Sequence, residues 1–152
     1  MTDETILDLS ATVAADTATI DMLIPGTTKP SGWKIQLAGP SHSATVALAT
    51  EVGREAIERE KSIEVARVNG RKWKGDGEDL EERRRRSVSY VCRRIVGWTP
   101  NPTFKFISPD PVAFTTEVAT NLFLRPEMGG YFVQITDYLG SESAFTQPSG
   151  NP

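Results

Sequence analysis

Gly32-Trp33-Lys34-Ile35-Gln36-Leu37-Ala38-Gly39-Pro40 is the stretch that decides the fold class. Apolar and polar side chains alternate through it, so Trp33, Ile35 and Leu37 share one face of an extended strand. Ala38-Gly39-Pro40 ends that strand, because proline has no ladder N–H to give. Upstream, Ile20-Asp21-Met22-Leu23-Ile24 is a second short apolar run, and Pro25 to Ser31 between the two has turn chemistry. The pair reads as a β-hairpin. A two-stranded hairpin is marginal alone, so its apolar face needs a helix or another chain to pack on.

Downstream, helical spacing takes over. Ser41 or Ser43 is placed to cap a helix, and Ala44 to about Val68 carries Leu48, Val52, Ala56, Ile63 and Ala66 on one stripe. Glu51, Arg54, Glu55, Glu58 and Arg59 fall on the other face. A helix of about 25 residues spans nearly 40 Å, long for so short a chain. Its stripe is poor in large side chains after Leu48, which suits an assembly surface better than a core element. Asn69-Gly70 ends it. Asp79 with Glu82 three residues on has the capping-box pattern of a second helix, on which Val88, Val91, Ile95 and Trp98 share a face and Gly97 marks the close. Asp110-Pro111 then starts a third helix running to Leu124, and Pro126 restarts a fourth that ends at Gly140. The expected architecture is one α+β domain, mostly helical, with an N-terminal β-hairpin followed by about four α-helices, one of them long. It is expected to occupy residues 20–146, between a flexible arm at 1–19 and a flexible tail at 147–152.

Composition removes function classes. The chain has 152 residues, enough to bury roughly two-thirds of its unfolded surface without a disulfide or metal. Its net charge of -3 argues against a nucleic-acid coat or a membrane-surface protein, whose affinity comes from excess positive charge. One cysteine and one histidine exclude an intramolecular disulfide and a zinc site of Cys and His ligands from one chain. The acidic start, Met1-Thr2-Asp3-Glu4, is unlike a secretory signal, and no apolar run approaches the roughly 20 residues of a membrane helix.

No catalytic constellation emerges from the residues. His42 lies between Ser41 and Ser43, but sequence neighbours rarely have triad geometry, so a surface or capping role is expected. Cys92 has no partner histidine in view and reads as a buried or half-buried thiol. No cofactor site is expected. The strongest oddity is Arg83-Arg84-Arg85-Arg86, followed by Arg93-Arg94. Four consecutive helical residues spread through about 300°, yet Arg83, Arg86, Arg93 and Arg94 gather on one side. Arg71, Lys72 and Lys74, with Trp73 among them, lie in the preceding loop. This pattern fits a nucleic-acid patch, or a solvated face paired with the acids of the long helix. The net charge favours the second.

The order of parts resembles small proteins of tailed bacteriophages known as tail assembly chaperones. The residues that carry the likeness are the Trp33 to Pro40 strand and stop, the long charged helix, the Arg-rich segment ending in Gly97-Trp98, and the Ser108-Pro109 turn before a helix. A terminal segment from Arg125-Pro126-Glu127-Met128-Gly129-Gly130 to Ala144-Phe145 completes it, so the likeness spans roughly 32–146. It implies a non-enzymatic protein of the host cell cytoplasm that binds the tape-measure protein and tail-tube subunits, with self-association as a further expectation. The alternative is a minor head, neck or tail component that stays in the virion. The apolar face Trp33, Ile35, Leu37 is the expected partner-binding surface, with Arg83, Arg86 and Arg93 as its electrostatic rim.

Overall fold

Three strands and four α-helices make up the described chain: β1 (Thr17–Leu23), β2 (Pro30–Ala38), α1 (Ser43–Val68), α2 (Leu80–Cys92), β3 (Ile95–Thr99), α3 (Thr116–Phe123) and α4 (Gly129–Leu139), with a short 3-10 turn at Pro126–Met128 leading into α4. The computed structural model describes residues 9, 16–75 and 79–141. Most of the expected arm and all of the expected tail lie outside those residues, and β1 begins at Thr17, inside the expected arm. The class is α+β, with more residues in helices than in strands.

The hairpin is present and extends to a three-stranded antiparallel sheet of order β1-β2-β3. Its register shows why one face is buried. Ala18 sits opposite Leu37, Ile20 opposite Ile35 and Met22 opposite Trp33, while β3 places Trp98 opposite Ile35 and Ile95 opposite Leu37. Opposed residues point the same way, so this row forms a single apolar face. The other face carries pairs such as Thr19 with Gln36 and Asp21 with Lys34, which suits solvent. Onto the apolar face pack Val88 and Cys92 of α2, Ala119, Leu122 and Phe123 of α3, Met128 of the 3-10 turn and Ile135 of α4.

Two expected helix boundaries are corrected. Ile95 and Trp98 are buried, as expected, but they belong to β3 rather than to the end of α2. The register of β2 with β3 shifts between Gln36 and Leu37, so Val96 is an extra residue on β3. That bulge lets two residues three apart face the same side of a strand, which imitates helical spacing. The third helix starts at Thr116 rather than at Pro111, capped by the Thr115 hydroxyl, which accepts from the Val118 N–H at 3.0 Å. The skipped segment is committed elsewhere. The Val112 N–H donates to the Pro102 carbonyl at 2.8 Å, and the Val112 carbonyl accepts from the Trp98 indole at 3.0 Å.

Capping otherwise follows the sequence. The Asp79 carboxylate accepts from the Glu82 N–H at 2.7 Å and opens α2. His42, rather than either neighbouring serine, caps α1, its Nδ1 accepting from the Ala44 N–H at 3.0 Å. The capping role expected of that histidine is the one it has.

Helix α4 holds the hairpin from the side. Gln134 Oε1 accepts from the Leu23 N–H at 2.8 Å, and Gln134 Nε2 donates to the Leu23 carbonyl at 2.9 Å. One side-chain amide thus replaces a strand partner at the outer edge of β1. Beside it, a Cβ on Gly130 would fall 2.7 Å from Pro25 Cβ, so only glycine permits this approach of α4 to the turn. Gln134→Leu should lose about 1–3 kcal/mol in urea unfolding, because two part-buried backbone groups lose their partners. Gln134→Glu keeps the acceptor and should lose less.

Candidate interaction surface

The expected binding face is corrected first. Ile35 and Leu37 are fully buried and Trp33 is 6% exposed, all within the chain's own core. Trp33 lies 5.4 Å from Trp98, 5.5 Å from Tyr131, 6.1 Å from Phe104 and 6.2 Å from Phe123, ring centre to ring centre. The hairpin face therefore has its partners in α3, α4 and the loop before α3. It cannot also cover another protein.

Among the described residues, α1 is the helix that buries least of itself. Of its 26 residues only Leu48 is buried. The helix is attached along one line of side chains at helical spacing, and apart from Leu48 these attachments are polar. Glu51 pairs with Arg93 at 2.5 Å. The Glu55 carboxylate accepts from the Tyr90 hydroxyl at 2.5 Å. The Arg59 guanidinium lies over the Trp73 ring at 5.2 Å. Glu51, Glu55 and Arg59, expected on the solvent face, are the residues that face the body. Val52 and Ile63, on the apolar stripe expected to suit an assembly surface, are about two-fifths exposed. Polar anchoring at 48, 51, 55 and 59 is a spacing the sequence contains, but apolar weighting hides it.

Opposite this line lie Val46, Ile57 and Val68, which are 51%, 55% and 74% exposed. They stand at intervals of eleven residues, close to three full turns, so they point the same way.

The arginine run divides. Arg84 donates to the Leu124 carbonyl at 3.0 Å and Arg85 to the Asn121 side chain at 2.6 Å, tying α2 to α3. Arg86 lines the groove toward α1, Arg93 pairs with Glu51, and Arg83 is exposed. Pairing with acids of the long helix, one of the two readings of this basic face, is the one Arg93 follows.

Between α1, the Arg71–Gly75 loop and α2 runs an open groove of about 610 Å³, with Val52, Ala56, Arg59, Trp73, Arg86 and Tyr90 among its walls. Burial, and then the hydrogen bond to Glu55, push the Tyr90 phenol up to about 12. A raised acid is held neutral by the fold, so this contact is at full strength below pH 10 and is lost as pH rises through about 12. In an alkaline absorbance titration, one of the three tyrosines should ionise only near pH 12, and Tyr90→Phe should remove that late phase. Burial also pushes the Cys92 thiol up to about 11, which leaves it a poor nucleophile at neutral pH.

Among the described residues no group of three or more His, Cys, Asp or Glu is placed to hold a metal ion, and no helix is long and apolar enough to cross a membrane. No family model, curated protein or solved structure matches the chain.

Proposed function

We propose that the chain is a phage tail assembly chaperone, a non-enzymatic binding protein that holds the tape-measure protein and recruits tail-tube subunits in the host cytoplasm. The observation that carries this reading is α1, a helix of about 39 Å with one buried side chain and a row of exposed valine and isoleucine. An isolated polar-anchored helix of this kind adds little to the stability of its own domain, so its length is better explained by a partner. The order of elements that resembles tail assembly chaperones supports the same reading.

Mass spectrometry of purified virions tests it. A chaperone acts during assembly and should be absent from the particle. Presence at a fixed copy number would overturn the proposal in favour of a minor structural component of the virion. Co-expression gives the positive arm, in which the tape-measure protein stays soluble only when this chain is made beside it.

A further inference from the structure

Past the groove, at the C-terminal end of α1, lies a second hollow of about 630 Å³. Val65, Ala66 and Trp73 give it an apolar floor, and Arg71, Lys72 and Lys74 stand around it. Among the described residues its lining contains no Asp or Glu. The side chains of Arg71, Lys72 and Lys74 make no ion pair or hydrogen bond among the described residues. The carbonyl end of α1 answers only about half of one positive charge, so three cations are well in excess of what the helix dipole calls for. Trp73 is half-buried, with Arg59 over its ring, and is therefore held in place rather than loose on the loop.

We propose that this hollow docks an acidic peptide segment of a partner protein. An apolar or aromatic side chain of the segment sits against Trp73, Val65 and Ala66, and carboxylates on either side of it pair with Arg71, Lys72 and Lys74. Charge complementarity selects the occupant. A phosphodiester strand fits less well, because the adjoining groove carries Glu55 and Glu58 and a strand several nucleotides long would have to run past them. The carboxylates of a short peptide need only the three local cations. The proposal goes beyond the tail-assembly reading and holds whichever protein supplies the segment.

Fluorescence anisotropy of the full chain with a labelled peptide tests this. The probe is Gly-Asp-Glu-Leu-Phe-Glu-Asp-Gly, and its twin is Gly-Asn-Gln-Leu-Phe-Gln-Asn-Gly. The acidic peptide should bind at least about tenfold more tightly than the twin, since roughly 1.4 kcal/mol separates each decade. Lys72→Glu with Lys74→Glu should remove that preference, and Trp73→Ala should weaken both peptides, with far-UV circular dichroism unchanged. Lys105→Ala, on an exposed loop away from the hollow, should leave binding as it is. Equal affinity for the two peptides, or no binding of the acidic one up to about 1 mM, overturns the proposal. So does tighter binding of an oligothymidylate of about a dozen nucleotides, which would make the hollow a polyanion site.

Discussion

Trp33→Ala is expected to lose about 3–5 kcal/mol of stability in urea unfolding, a large part of what a domain of this size has. The ring sits among four other aromatic rings with centres 5.4–6.2 Å away, and truncation leaves a cavity that rigid neighbours cannot close. Its indole N–H is buried without a partner among the described residues, so the side chain contributes by packing rather than by hydrogen bonding. Trp33→Phe should accordingly lose much less than the alanine change. The thiol of Cys92, fully buried beside the same core, gives a second readout, becoming open to disulfide reagents as Trp33→Ala raises the unfolded fraction. A loss below about 1 kcal/mol would mean that the hairpin face is not the core.

The opposite behaviour is expected of α1. Changing Val46, Ile57 and Val68 together to serine should alter stability by no more than about 0.5 kcal/mol per site, because all three are exposed and serine is no worse in a helix than valine. The same triple change should abolish the solubility that the chain lends to a co-expressed tape-measure protein. Stability and binding are thus expected to separate by surface, with tryptophan changes acting on the first and α1 changes on the second. Unaltered tape-measure solubility with the triple variant would remove α1 from the binding surface.

How far the sequence led differs by element. Alternation in Trp33, Ile35 and Leu37 placed β2 and its buried face, because a strand has only two sides and one of them was apolar throughout. The Asp79 cap and the length of α1 were equally plain, since capping chemistry and a long unbroken run are local signals. What covers β2 was not readable. Leu122, Phe123 and Ile135 are brought to it by tertiary packing alone, and without them the hairpin looked in need of another protein. Ile95 and Trp98 misled for a different reason, as a bulge gave a strand the spacing of a helix. On α1 polar side chains did most of the anchoring beside Leu48, which a ranking of faces by hydrophobicity does not register.

Hydrogen–deuterium exchange, measured on the chain alone and with the tape-measure protein bound, tests the central claim that the hairpin is core and α1 is the presented surface. Alone, amides of β2 from Trp33 to Leu37 should be strongly protected, and amides in the distal half of α1 should exchange much faster. With the partner bound, protection should rise across residues 52–68 and stay unchanged across 33–37. New protection confined to the sheet, with α1 exchanging as before, would contradict the account.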